Sequence, residues 1–110
     1  MRTVWLLALA LGGCSGGRDD QDARQIIAAK CAACHVVPGV RTAQGRVGPS
    51  LSGLAGRQYI AGRLPNTPAN LHAFLMHPQT AQPGGAMPEL GLSSRQADAI
   101  AHYLETLDKD

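Results

Sequence analysis

Five consecutive residues carry the clearest chemistry in this chain of 110: Cys31-Ala32-Ala33-Cys34-His35. Two thiols three positions apart at a helix end lie on one face. From there they can add to the two vinyl groups of one porphyrin. The histidine that follows falls under the same ring and can bind its iron from the proximal side. A chain with three cysteines and four histidines shows this pattern by chance roughly 0.002 times. The spacing therefore reads as a c-type haem attachment site.

Two other readings use the same cysteines. A thioredoxin-like redox pair needs a βαβ setting, and the sequence offers none. A zinc site could add His72 and His77 to the two thiols. However, 37 residues separate Cys34 from His72, against about 12–15 in the zinc-finger pattern.

A haem held by His35 needs a ligand on its other side. Met76 follows Leu75 in an apolar helical pattern, where a methionine is ordinarily core filler. Met87 lies instead in Gln82-Pro83-Gly84-Gly85-Ala86-Met87-Pro88. The glycines there let backbone approach a flat ring closely, and Pro88 stiffens the segment after the thioether. Met87 is the expected sixth ligand. His72, His77 and His102 are the alternatives, which would give a bis-histidine haem. A thioether raises the potential of the iron relative to a second imidazole, and it closes the sixth position to oxygen or peroxide.

Composition agrees with a bound cofactor. The chain is 45% hydrophobic but only 4% aromatic, with Trp5, Tyr59, Phe74 and Tyr103. Glycine (13) and proline (7) are plentiful. Such a chain makes a thin core from side chains alone, and a large flat apolar group would supply what is missing. A formal net charge of +2 is too small to point to nucleic acid. No run of about 20 apolar residues is present, so no ordinary membrane-spanning helix is expected.

The elements that must position these groups are helices and ordered loops. Ala23, Ile26, Ile27 and Lys30 recur at helical spacing, so a helix is expected from Asp22. Residues 38–62 carry six glycines and two prolines and should be mostly loop. Thr67-Pro68 starts a second helix, with Thr67 as N-cap, and Pro78 stops it at or before His77. Residues 82–92 form another loop. Ser93 and Gln96 make a capping box, and Ala97, Ile100, Ala101, Leu104 and Leu107 extend the last helix to about Leu107. Nothing alternates with period two. The expected class is all-α.

The first residues read as a targeting segment. Residues 3–11 form a short apolar run behind Arg2, as in a secretory signal. The run closes as Leu11-Gly12-Gly13-Cys14, which resembles the bacterial lipoprotein processing box and would leave Cys14 as an acylated N-terminus. An ordinary cleavage near Gly17, or a mis-assigned start, are the other readings. The expected organisation is a lipoprotein-type signal peptide over 1–13, a tether over 14–21 and a folded domain over 22–108.

The Cys31–His35 motif, Gly48-Pro49-Ser50-Leu51 and Met87-Pro88 together resemble class I cytochrome c over about residues 22–107. The resemblance implies one covalent haem c and terminal helices that cross, with Tyr103 near the contact. It also implies that the Pro49 carbonyl accepts the second ring N–H of His35, fixing the ligand's tautomer. A more specific likeness is to the C-terminal cytochrome domain of caa-type cytochrome oxidase subunit II. It is carried by Val47–Leu51, Gly56-Arg57, Ala61-Gly62, Leu64–Leu71, His77-Pro78-Gln79 and Pro83-Gly84. That family places a membrane hairpin and a copper-binding domain before its haem domain. A lipoprotein-type leader is expected in that place here, so an acceptor would be met in trans.

Charge is polarised along the chain. No acidic residue lies between Ala23 and Pro88, where Arg24, Lys30, Arg41, Arg46, Arg57 and Arg63 are found. These bases either ring the haem edge and steer an acidic partner, or solvate the surface while one or two pair with haem propionates. Arg57 is the propionate candidate. The expected function is a membrane-tethered, exported mono-haem electron carrier and not an enzyme. Its expected partners are redox proteins, a haem–copper terminal oxidase as acceptor or a dehydrogenase as donor. The competing classes are a haem enzyme or gas sensor with a displaceable sixth ligand, an electron-accepting dehydrogenase subunit and a structural oxidase subunit.

Overall fold

The computed structural model describes residues 15–108. The expected signal segment 1–13 and Cys14 lie outside the described residues. The order is α1 (Ser15–Lys30), a single 3₁₀ turn (Leu54–Gly56), β1 (Tyr59–Ile60), β2 (Leu64–Pro65), α2 (Pro68–Met76), α3 (Pro78–Ala81) and α4 (Ser94–Leu104). The all-α expectation holds. Among the described residues, no helix is long and apolar enough to cross a membrane.

α1 packs chiefly on α4, and α4 also packs on α2. The buried stripe of α1 is Ala23, Ile27 and Cys31, spaced four apart so that all face one side. Opposite it, α4 buries Ala97, Ile100, Ala101 and Leu104, while α2 contributes Leu71 and Leu75. Small Ala23, Ala97 and Ala101 let the helices come close. No polar or charged residue is buried among those described, so these contacts rest on apolar area removed from water.

The helix ends follow their local chemistry. Thr67 accepts from Asn70 N–H at 3.1 Å, and Pro68 opens α2. Ser93 Oγ accepts from Gln96 N–H at 3.1 Å, while Gln96 Oε1 accepts from Ser93 N–H at 2.9 Å. α2 ends at Met76, before Pro78, as expected.

Four details depart from the sequence expectation. α1 begins at Ser15, and so takes in residues 15–21 that were expected as a tether. Once Ala23 and Ile27 are docked, each preceding residue extends the helix without a new nucleus. A two-residue antiparallel ribbon, β1–β2, pairs Tyr59 with Pro65 and Ile60 with Leu64. It is too short to show alternation, and it turns through Ala61 (φ 49°) and Gly62 (φ 84°). Pro78 also begins the short α3, because proline suits a first helical position as well as it ends a preceding helix. α4 stops at Leu104, short of Leu107, with Thr106 Oγ1 donating to Tyr103 O at 2.6 Å in the closing turn.

The loop after α1 is ordered by burial and by one long-range bond. Val37, Val40 and Ala43 are buried, and Tyr103 Oη donates to Pro38 O at 2.7 Å. A side chain on Gly39 would strike that hydroxyl, and its φ is +85°. Burial raises the Tyr103 phenol above its ordinary 10.0, with Arg24 opposing the shift and Asp20 adding to it. A raised native pKa leaves the stabilisation intact below pH 10.0 and removes it as pH climbs past that value. Thermal unfolding of the haem-loaded protein should therefore fall off above about pH 10. Tyr103→Phe should show a smaller fall there, and at neutral pH it should cost about 0.5–1.5 kcal/mol for the lost hydrogen bond.

Candidate functional site

The Cys31–His35 motif continues the last turn of α1. Cys31 N–H donates to Ile27 O at 2.8 Å, and His35 N–H to Cys31 O at 3.0 Å. These turns bring both thiols and the imidazole to one side of the chain. They open on a cleft of about 470 Å³ between α1, α2, α4 and the long loops. Cys31, Cys34, His35 and Met87 all line it, with Leu54, Leu71, Leu75 and Ile100 among its apolar walls.

His35 Nδ1 donates to Pro49 O, 2.7 Å away. With the proton on Nδ1, the lone pair of Nε2 is left free for a metal. The loop that supplies Pro49 is tied back to the motif: Gly48 N–H donates to Cys34 O at 2.7 Å, Gly45 N–H to Ala32 O at 3.1 Å, and Leu51 N–H to Val36 O at 2.8 Å. Two glycines make this approach possible. A Cβ on Gly45 would run into the Ala33 carbonyl, and one on Gly48 would overlap the His35 ring, 2.9 Å from both ring nitrogens. In the sequence Gly45 counts only toward the glycine-rich loop, while Gly48 also belongs to the Gly48-Pro49-Ser50-Leu51 motif. Their nearness to the motif was the available signal, but the contact they make is tertiary.

Cys31 and Cys34 are not joined to each other by a disulfide. Burial, with the neighbouring Cys34 adding, pushes the Cys31 thiol up from 9.0 to about 11. Its unattached sulfur is therefore a neutral thiol in this apolar setting.

The two methionines separate. Met87 faces the cleft, whereas Met76 packs against the core and does not line it. The alternative histidines are engaged or distant. His72 Nε2 lies 3.3 Å from Asp98 Oδ1 and 3.2 Å from Ser94 O. His77 Nδ1 lies 3.5 Å from Glu89 Oε2. His102 is exposed on α4. None of the three lines the cleft. Among the described residues no cluster of three or more His, Cys, Asp or Glu side chains could hold a metal, so the zinc alternative has no support there.

Arg57 lines the cleft, and its Nη2 donates to Ser50 O at 2.5 Å and Ser52 O at 3.1 Å. It braces the segment just after Pro49. Asn66 Nδ2 in turn donates to Leu54 O and Arg57 O, each at 2.9 Å. Lys30 and Arg57 line the cleft, while Arg24, Arg41, Arg46 and Arg63 do not. Among the described residues, the two large hydrophobic side chains most exposed to solvent, Val47 (73%) and Tyr59 (60%), also belong to the cleft lining.

The residues present fit a covalent haem: paired thiols, an imidazole with its outer nitrogen engaged, a thioether, and apolar walls around a cofactor-sized space. Comparison with known proteins agrees. Residues 21–108 match the Cytochrome c family, so the chain belongs to that family. It is an electron-transfer haem protein that binds haem c covalently.

Among its relatives are two proteins named cytochrome c oxidase subunit 2. That of Alkalihalophilus pseudofirmus is 36% identical over 78 residues, 70% of this chain and 22% of its own length. That of Bacillus sp. strain PS3 is 36% identical over 81 residues, 70% of this chain and 23% of its own. The chain thus spans less than a quarter of these curated relatives. They bear out the resemblance to the cytochrome domain of that subunit. The solved c-type cytochrome SorU from Sinorhizobium meliloti shares the fold, with TM-score 0.59 and 22% identity over 84% of this chain and 95% of that one.

Gly48→Ala should force the His35 ring from its place. The expected result is a loss of haem retained per polypeptide and a shifted visible spectrum, measured by absorbance against total protein. Gly56→Ala, whose added methyl meets nothing within 4 Å, should leave both unchanged.

Proposed function

We propose that this chain is a membrane-tethered electron carrier. In this reading Cys31 and Cys34 would form the two thioether links, and His35 Nε2 and Met87 would hold the iron. The observation that carries it is the convergence of those four side chains on one apolar cleft, with His35 Nδ1 already donated to Pro49 O at 2.7 Å. When bound, the haem supplies one-electron exchange between ferric and ferrous iron. The protein's part is to keep that exchange fast and clean. Pro49 fixes the imidazole so that little moves between oxidation states. Leu54, Leu71, Leu75 and Ile100 exclude water. Arg57, in the cleft lining, has N–H donors beyond the Nη2 given to Ser50 and Ser52, and in this reading they serve a propionate.

The chain is exported in this reading, and acylation at Cys14 holds it on the outer face of a bacterial membrane. Two or more acyl chains suffice for stable anchoring, where one is marginal. The proposed acceptor is a haem–copper terminal oxidase, supported by the oxidase-subunit relatives. A dehydrogenase is the proposed donor. Val47 and Tyr59, exposed beside the cleft, offer apolar contact to a partner, and Lys30 and Arg57 offer charge.

Met87→Ala should abolish the long-wavelength sulfur-to-iron charge-transfer band of the oxidised protein, while Met76→Ala keeps it; the reverse pattern would refute the ligand assignment. Membranes containing a haem–copper oxidase should oxidise the reduced protein. Cys14→Ser should release the protein from the membrane and slow that oxidation. Intact mass of the exported wild type should show both haem and acyl additions.

A further inference from the structure

The segment that carries Met87 has little backbone structure of its own. Among the described residues, the backbone bonds made by 82–92 are Gln82 N–H to Pro78 O at 2.9 Å and Gly85 N–H to Gln82 O at 3.0 Å. Pro83 and Pro88 have no N–H to give. A loop of this kind would ordinarily open often.

One residue supplies what the backbone lacks. Gln79 Nε2 donates to Gly85 O at 2.7 Å and to Met87 O at 2.8 Å. Its Oε1 accepts from Gly84 N–H at 3.2 Å. Its own N–H donates to Glu89 Oε1 at 3.2 Å. Both amide hydrogens and the amide oxygen are therefore in use. Turning the amide over would set oxygen against two carbonyls, so this orientation is the only one the partners accept. The base of the clasp is firm, because Pro78, the preceding residue and the start of α3, is fully buried.

We infer that Gln79 is the positioning residue for Met87. Its side-chain amide ties the backbone at Gly84, Gly85 and Met87 itself to α3 and so aims the thioether into the cleft. This rests on Met87 being the sixth ligand. The clasp keeps the sixth position closed, which suits a carrier and disfavours ligand binding or peroxide chemistry at the iron.

Imidazole added to the oxidised, haem-loaded protein can bind only when the thioether leaves, so its binding rate reads how often the loop opens. Gln79→Leu removes all three side-chain bonds. Gln79→Glu keeps the length but loses both donors. Each should bind imidazole at least about tenfold faster than wild type. Asn70→Ala, which loses a bond to Pro65 O far from the loop, should bind at the wild-type rate.

Wild-type rates in both Gln79 variants would overturn the clasp. If Met87→Ala still lost its charge-transfer band, the ligand assignment would survive that failure. Retention of the band in Met87→Ala would sink both. A check on the wild type needs no variant: the Gly84 amide should exchange its hydrogen more slowly than the Ala86 amide, and equal rates would count against the clasp.

Discussion

An imidazole inside an apolar cleft has to present one nitrogen to a metal while the other is satisfied by the protein. Here the Pro49 carbonyl does the satisfying, 2.7 Å from His35 Nδ1. Much of the chain between the motif and α2 is arranged around that bond. The loop must double back until its backbone touches the motif, which requires Gly45 and Gly48 to carry no side chain. Arg57 then holds the carbonyls of Ser50 and Ser52, and Asn66 holds those of Leu54 and Arg57. The hydrogen bond at His35 is thus backed by a series of side-chain-to-backbone bonds reaching the start of α2.

The helices meet a different demand. Their buried faces are mostly aliphatic and small, Tyr103 apart, whose hydroxyl is satisfied by Pro38 O. α1, α2 and α4 surround the cleft rather than filling it, and a flat apolar cofactor completes what their side chains leave open. The scarcity of aromatic residues is then a consequence of the haem taking the place that aromatic side chains hold in other small domains.

The two sides of the cleft are held by different means. His35 sits in the turn that follows α1, in the same few residues as the thiols, so local geometry brings it to the same cleft wall. Met87 lies 52 positions further on, in a loop poor in backbone bonds, and its place depends on Gln79 reaching across from α3. The charges divide in a similar way. Six bases occupy the acid-free middle of the chain, yet only Lys30 and Arg57 line the cleft, beside exposed Val47 and Tyr59. Of the two readings of these bases, a ring around the opening therefore draws on only two of the six.

The attachment motif, the all-α class, both N-caps and the stop before Pro78 were legible in the sequence. Each rests on neighbours within four or five residues, where spacing alone sets geometry. The likeness to the cytochrome c family was legible too, since its motifs are short and continuous. The β1–β2 ribbon was not, because two residues per strand leave no period to read. Nor were the contacts of Gly45 and Gly48, the bracing by Arg57 or the hold of Gln79 on the Met87 loop. Those join residues whose separation along the chain says nothing about distance in space. Only the folded backbone brings a carbonyl, an amide or a missing methyl to the point where it acts.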